Sequence, residues 1–364
     1  MINVEYENLK KLNSIYFNEL REATNKVIES GWYILGNEVR AFEKKFSNFL
    51  SSKHCIGVSN GMDALEMAFS ALDLPSNSEV ITSSHSYIAT ILAIKNNSLK
   101  PVLAATCQDT FNIDHNSIEK LITKNTSAIC VTHMYGNPCK MDEITKIAKK
   151  YNLKLVEDCA QAHGSQYMDK MVGTFGDIGC FSFYPTKNLG ALGDAGALVT
   201  ENKDIADKLF MMRNYGSERK YFNKILGSNR RLDEIQAAIL NVKLNHFSSY
   251  ISQKNYIVTR YKNELSKKVQ IQKFHSNTTV VQHIFSIITE NRDEFRKNLK
   301  TNGVLTEVHY PIPVWKQKCM LTYNLNRCLI AEQLADSQVS IPSSIWLNDE
   351  QINHTIEIIN MFYK

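Results

Sequence analysis

The sequence predicts an α/β protein: a mostly parallel sheet in a large domain, followed by a smaller α+β lobe. Three observations carry that expectation. From about residue 55 to residue 200, short apolar runs alternate with segments of helical period. The strand runs are continuously apolar rather than alternating, as in strands covered on both faces. Past a long helical stretch (232–267), short strands mix with helices.

The elements follow in order. Residues 55–58 read as a strand that passes through Ser59-Asn60-Gly61 into a helix with Met62, Leu65, Ala68, Phe69 and Leu72 on one face. Residues 80–82 form the next strand, before a helix over 87–95. Strands are expected at 101–104 and 128–131, then a helix over 142–151 leading into a strand at 153–156. Strands at 178–181 and 197–199 complete the series before a helix over 204–212. The amphipathic run through Ile239, Val242 and Leu244 belongs to the long helical stretch, and 284–288 is a strand of the second lobe. The expected division is 1–248 for the large domain and 249–364 for the small one. No internal repeat or low-complexity linker marks it, so the boundary is soft.

Composition excludes several classes. With 364 residues, 43% hydrophobic and 22% charged, the chain is ordinary for a globular protein of two domains. The net charge of +5 is dispersed, and runs such as Lys149-Lys150 and Lys267-Lys268 read as solvated helix faces, not as a nucleic-acid patch. No apolar run approaches the roughly 18 residues of a membrane span. Residues 1–11 are polar and lack an apolar signal core, so a cytoplasmic protein is expected. Eight cysteines occur without a C-x-x-C pair, several inside apolar runs, which suits free thiols in a reduced compartment. Histidine pairs with metal spacing are absent, and no metal site is expected.

The chemistry concentrates in two segments. In Phe181-Ser182-Phe183-Tyr184-Pro185-Thr186-Lys187-Asn188-Leu189-Gly190, one lysine stands just past an apolar strand, in a turn that Pro185 stiffens. A lysine partly desolvated at the mouth of a sheet is a usable nucleophile toward an aldehyde. In Val156-Glu157-Asp158-Cys159-Ala160-Gln161-Ala162-His163-Gly164, a carboxylate ends another buried strand. A Schiff-base lysine plus an aspartate aimed at a pyridine nitrogen is the minimal protein contribution to pyridoxal phosphate (PLP) chemistry. In parallel α/β sheets ligands collect at the carboxyl ends of strands, where Gly61, Asp158 and Ser182 all fall. Gly61 at a helix start also offers free N–H groups to a phosphate.

Singly, each residue has a plainer reading. Lys187 is one of 42 basic residues and alone would be a surface lysine; Asp158 could cap a helix; Gly61 could serve a turn; Ser182 alone says nothing. Their joint spacing is what selects the site. A rival lies in Gly57-Val58-Ser59-Asn60-Gly61, which matches the G-x-S-x-G nucleophile elbow of serine hydrolases, with His309 or His163 as the base. That reading leaves Asp158, Ser182 and Lys187 without a role. No G-x-G-x-x-G follows a strand, which disfavours a dehydrogenase.

The chain resembles the DegT/DnrJ/EryC1/StrS family of PLP-dependent nucleotide-sugar aminotransferases over nearly its whole length. The resemblance rests on the segments 30–36 (SGWYILG), 60–65 (NGMDAL), 157–164 (EDCAQAHG), 182–190 (SFYPTKNLG), 193–196 (GDAG), 229–238 (NRRLDEIQAA) and 309–313 (HYPIP). It implies an aspartate-aminotransferase-type fold and a role for each matching residue. Lys187 would carry the cofactor's aldehyde and Asp158 would pair with the protonated pyridine nitrogen. Gln161 would meet the ring hydroxyl and Tyr87 would stack on the ring. Gly61, Met62 and Ser182 would hold the phosphate. Asn229 would reach the phosphate of a neighbouring subunit's cofactor, which implies a homodimer with shared sites. Retention of Lys187 separates the chain from the similar sugar dehydrases, which carry histidine there.

Segments 60–65, 214–217, 231–234 and 309–311 are similar to members that aminate 3-keto-6-deoxyhexoses carried on dTDP. The expected product is a dTDP-3-amino-3,6-dideoxyhexose for a surface polysaccharide such as O-antigen, with glutamate as donor. Substrate contacts are expected from His163, Tyr215, Arg231, His309 and Tyr310; the planar fork of Arg231 suits a carboxylate or a phosphate. Arg230 stands where the family usually has serine, adding a charge near the cofactor or sugar phosphate. Trp315 stands where histidine is common, so a substrate contact there is expected to be lost or replaced by stacking. The alternatives are a 4-keto or UDP-linked sugar, a non-catalytic nucleotide-sugar-binding homologue, and a serine hydrolase using Ser59.

Overall fold

The computed structural model describes residues 2–364. Residues 9–50, to which the sequence pattern assigns no element, form helices α1 (Leu9–Ser14), α2 (Phe17–Ser30) and α3 (Asn37–Leu50). Helix α3 is amphipathic: Val39, Phe42, Phe46 and Leu50 fall on one stripe and are buried. The strand–helix alternation then appears as expected: β1 (His54–Val58), α4 (Gly61–Ala71), β2 (Glu79–Ser83), α5 (Ile88–Asn96), β3 (Lys100–Ala104), α6 (His115–Ile118), β4 (Thr126–Thr132), α7 (Met141–Lys150) and β5 (Lys154–Asp158). The short strands β6 (Gln166–Tyr167) and β7 (Lys170–Met171) precede β8 (Ile178–Ser182), β9 (Gly196–Thr200) and α8 (Lys203–Met212).

Seven strands make one sheet, in the order β1-β9-β8-β5-β4-β2-β3. The pairings from β3 through β2, β4 and β5 to β8 are parallel; β9 alone runs against its neighbours β8 and β1. The carboxyl ends of β1, β8 and β5 therefore meet at one edge. Register fixes how closely: Val58 and Ser182 both pair with Gly196, while Asp158 pairs with Thr132 on one side and Cys180 on the other. Side chains alternate across the sheet. Ile178 and Cys180 of β8 pack under α4 with Leu65 and Phe69, whereas Phe181 faces Phe42, Phe46 and Leu240.

The expected helical stretch 232–267 is two helices, α9 (Glu234–Asn245) and α10 (Phe247–Glu264), broken at His246; Lys267-Lys268 lies in a turn beyond them. Between α8 and α9 sits a hairpin of β10 (Ser217–Arg219) and β11 (Phe222–Asn223). The small lobe joins β12 (Gln270–Ile271), β14 (Phe285–Ile288) and β15 (Gln338–Ile341) in a three-stranded sheet. Helices α11 (Arg292–Thr301) and α13 (Asp349–Phe362) pack on it through Phe295, Leu299, Ile352 and Ile359. Helix α12 (Leu329–Ser337) leads into β15.

Packing crosses the expected division at residue 248. Val4 is fully buried in the small lobe's core and pairs with Val304, so the N-terminal segment belongs there. Helix α10 spans both cores: Phe247 and Tyr250 pack with the large domain, Ile257, Val258 and Tyr261 with the small lobe. Strand β13 (Thr278–Thr279) returns to pair with β6, and Val314, Trp315 and Met320 pack on Ile91 and Leu103. These are long-range returns that a local periodicity cannot register. Among the described residues no helix is long and apolar enough to cross a membrane.

Candidate active site

At the edge where β1, β5 and β8 end, Asp158 is buried and its carboxylate is held from two sides. Thr90 Oγ1 donates to Oδ2 at 2.8 Å and the Ala160 N–H to Oδ1 at 3.1 Å. Burial pushes the Asp158 carboxyl above its ordinary range; both hydrogen bonds and the charge of Lys187 act against that. The β8–β9 connection brings Lys187 to the same place. Its N–H closes a turn onto the Tyr184 carbonyl at 2.8 Å. Asn188 fastens the next residue, donating to Val281 O at 3.2 Å and accepting from the Tyr250 hydroxyl at 3.2 Å. A side chain at Gly190 would collide with the Pro185 carbonyl, so only glycine lets the loop double back. Burial lowers the Lys187 amine to about 8, with Asp158 pulling the other way.

One strand over, α4 presents an anion cradle. Asn60 caps the helix by accepting the Asp63 N–H at 2.8 Å, while the N–H groups of Gly61 and Met62 meet no acceptor among the described residues. A Cβ on Gly61 would lie 2.5 Å from Ser182 Cβ, so the helix mouth and Ser182 are in direct contact.

Over the Asp158 side stands Tyr87, 53% exposed, its ring 5.1 Å from that of Tyr310. Gln161 is buried between the lobes: its Oε1 accepts the Tyr135 N–H at 2.8 Å and its Nε2 donates to the Tyr310 hydroxyl at 2.9 Å. His309 shares a hydrogen bond with Ser340 Oγ at 2.8 Å, and burial together with Lys187 lowers it to about 4, so its ring is neutral. It lines a cavity of about 170 Å³ with Thr186, Tyr6 and Lys254. Thr90 and Tyr135 were not singled out from the sequence. Thr90 stands one turn after Tyr87, a usable signal; Tyr135 sits in a loop with no motif.

A strap beside β1 carries the remaining residues. Arg231 bridges to Val58 and Asn229 to Asn214. Asn229 is exposed. Arg231 donates to Asn214 Oδ1 at 3.1 Å, lies 5.6 Å from the Tyr215 ring, and keeps a buried Nε without a partner.

Four expectations are corrected. His163 is 0% exposed and packed against Phe181 and Phe183, which walls it from any sugar; burial and Lys187 hold it near 3, neutral. Arg230 does not offer its charge to a phosphate, since Asp63 and Glu66 both bind it. Trp315 is buried and donates to Glu332 at 3.2 Å, a core residue and not a stacking surface. Ser59 donates to Asp63, not to a histidine, so the elbow has no base.

Among the described residues one cluster has metal-ligand chemistry, His133 with Glu157 and Cys159, but Glu157 and His133 are already engaged in hydrogen bonds. Glu157 accepts from the N–H groups of Gly173, Phe175 and Gly176, and His133 Nδ1 accepts the Cys139 N–H. The network secures the 173–176 loop behind β5.

The main site suits a phosphorylated pyridine aldehyde. It combines unpaired helix N–H groups, a buried carboxylate held by two hydrogen bonds, an amine with depressed basicity, and an aromatic face. The comparisons agree. The profile of the DegT/DnrJ/EryC1/StrS aminotransferase family, whose cofactor is PLP, matches residues 16–360. The dTDP-3-amino-3,6-dideoxy-alpha-D-galactopyranose transaminase of Aneurinibacillus thermoaerophilus is 43% identical over 360 residues, 99% of each chain. The dTDP-3-amino-3,4,6-trideoxy-alpha-D-glucose transaminase of Streptomyces venezuelae is 40% identical over 304 residues, 82% of this chain and 80% of that protein. The crystal structure of S. venezuelae DesV in complex with a ketimine intermediate superposes with a TM-score of 0.98 at 35% identity, covering 100% of this chain and 99% of that one. Matched by that profile over residues 16–360 and 43% identical to a transaminase of the family across 99% of each chain, the chain belongs to the DegT/DnrJ/EryC1/StrS aminotransferase family.

Proposed function

We propose that this protein transfers an amino group from an amino acid, glutamate, to the 3-keto carbon of a dTDP-linked 6-deoxyhexose. The products are a 2-keto acid and a dTDP-3-amino-3,6-dideoxyhexose destined for a surface polysaccharide such as O-antigen. The observation that carries the reading is Lys187 facing Asp158 at the shared strand-end edge, each shifting the other's titration. Two relatives that act on 3-amino dTDP-sugars support the carbon and the carrier.

Bound PLP supplies a carbonyl that receives the amino group and a ring that accepts the electrons released when a C–H bond breaks. The chain's residues do the rest. Ionised Asp158 keeps a proton on the pyridine nitrogen, which strengthens that electron sink. Lys187, neutral in part near pH 8, would carry the proton from the donor's α-carbon to the cofactor carbon that bore the aldehyde, and in the second half-reaction from that carbon to C3 of the sugar. Gly61 and Met62 N–H groups with Ser182 bind phosphate, Gln161 orients the ring and Tyr87 covers it. Tyr215, Arg231, His309 and Tyr310 contact the nucleotide sugar or the donor. Asn229 completes the site of a second subunit in a cytoplasmic homodimer; exposed Trp32, Tyr221 and Leu226 give such an interface apolar area.

The test has two parts. Borohydride reduction of the yellow protein should fix the cofactor mass on the peptide bearing Lys187. Steady-state assays with dTDP-linked 3-keto and 4-keto sugars should favour the 3-keto compound, and faster turnover of the 4-keto or of a UDP-linked sugar would overturn the assignment.

A further inference from the structure

Helix α4, whose first N–H groups form the cradle, carries two carboxylates within its first two turns, Asp63 and Glu66. A phosphate at Gly61 would meet them as repelling charges. Arg230 spans both, with Nη1 3.3 Å from Asp63 Oδ1 and Nη2 2.5 Å from Glu66 Oε2. Its Nε donates to Ser228 Oγ at 2.8 Å, so every edge of the guanidinium is engaged. The group is mostly buried, with side-chain exposures of 25% for Arg230, 20% for Asp63 and 13% for Glu66. Such pairs are screened less than surface ones.

Backbone bonds hold the same junction. The Ser59 N–H donates to the Arg230 carbonyl at 3.3 Å, and the Arg230 N–H donates to Arg213 O at 3.0 Å. Asp63 Oδ2 accepts from Asn60 Nδ2 at 2.9 Å and from the Ser59 hydroxyl. The carboxylate is thus tied to the two residues directly before the cradle. Released from Arg230, it would stand as an uncompensated anion at the helix mouth and compete with a phosphate for the N–H groups and the dipole there.

We propose that Arg230 is a positioning residue for the cofactor phosphate: it neutralises Asp63 and Glu66 and clamps the 228–231 strap to α4, leaving the Gly61–Met62 cradle free for an exogenous phosphate. This rests on the aminotransferase reading, because it requires a phosphorylated cofactor at Gly61.

The test titrates the full-length chain, freed of cofactor, with pyridoxamine 5′-phosphate and separately with pyridoxamine, which lacks the phosphate. Arg230→Ala should weaken the phosphorylated compound about tenfold or more at low salt and less at high salt, with pyridoxamine unchanged. Adding Asp63→Asn to Arg230→Ala should restore most of the loss. If Arg230→Ala does not fold, Arg230→Gln carries the same expectation. Unchanged affinity, an equal loss for both compounds, or no recovery with Asp63→Asn would overturn the clamp alone. Failure of the unaltered protein to bind pyridoxamine 5′-phosphate would overturn the aminotransferase reading itself.

Discussion

Thr90 and Asp158 are joined side chain to side chain, the Thr90 hydroxyl 2.8 Å from Oδ2, although they come from α5 and the end of β5. The bond opposes the upward pull of burial on the Asp158 carboxyl. A hydrogen bond to a charged acceptor is worth about 1.5–3 kcal/mol, which corresponds to about one to two pH units. Thr90→Val should therefore raise the carboxyl's titration further, and the anion that would hold the proton on the pyridine nitrogen should be lost sooner as pH falls. The acidic limb of the kcat profile should move up by about one unit, with cofactor content unchanged. An unmoved limb would show that Ala160 alone fixes the charge.

Lys187 gives a second pH dependence. Its folded-state amine titrates near 8, against 10.5 for a free lysine, because burial disfavours the ammonium. Capture of PLP by the cofactor-free protein needs the neutral amine, so its rate should rise with pH around a midpoint near 8. For stability the sign follows from proton counting. Between about 8 and 10.5 the unfolded chain binds the proton and the folded chain does not, so this group's contribution to stability grows with pH across that window. Below 8 the burial penalty is fully present. A stopped-flow midpoint above 10 would place the amine in solvent.

Much of this site could be read from the sequence because strand ends are local features. Gly61, Asp158, Ser182 and Lys187 each follow an apolar run; parallel pairing sets the ends of β5 and β8 side by side, and β9, antiparallel to both neighbours, brings the end of β1 to them. What escaped was set by distance along the chain. Gln161 is wedged between Tyr135 and Tyr310, and the Tyr310 partner is contributed by the small lobe. Arg230 looked like a free charge until Asp63 and Glu66 were seen across from it. His163 sits in a motif of functional residues yet is fully buried with its ring against Phe181 and Phe183. A sequence motif carries no record of which of its side chains face inward.

Gly61 tests the cradle. Its missing Cβ would stand 2.5 Å from Ser182 Cβ, a contact that backbone movement must relieve. Overpacking of this kind costs about 1–3 kcal/mol. Gly61→Ala should lower the melting temperature and weaken pyridoxamine 5′-phosphate more than pyridoxamine, since the shifted N–H groups are the ones that face phosphate. Gly61→Ala combined with Ser182→Gly, which makes room, should recover the stability and leave the phosphate deficit. Recovery of both would assign the anion to other groups.

Glu234 tests how the first helices are fixed to the sheet. It is buried at the start of α9, and its carboxylate caps α3 from nearly 200 residues away. Oε1 accepts the N–H groups of Gly36 at 2.7 Å and Val39 at 2.9 Å, and Oε2 accepts that of Glu38 at 2.9 Å. These are the donors that a helix start leaves unmet, and a negative charge there also suits the dipole. Glu234→Ala would strand all three in a buried place and should cost about 2–4 kcal/mol in urea unfolding. Glu234→Gln keeps one acceptor oxygen and should cost about half as much. The exposed Trp32, Tyr33 and Ile34 lie just before this cap, so the same substitution should also weaken subunit association in sedimentation experiments. If Glu234→Ala unfolds at the unaltered urea midpoint, water reaches those N–H groups and the cap is not what holds α3.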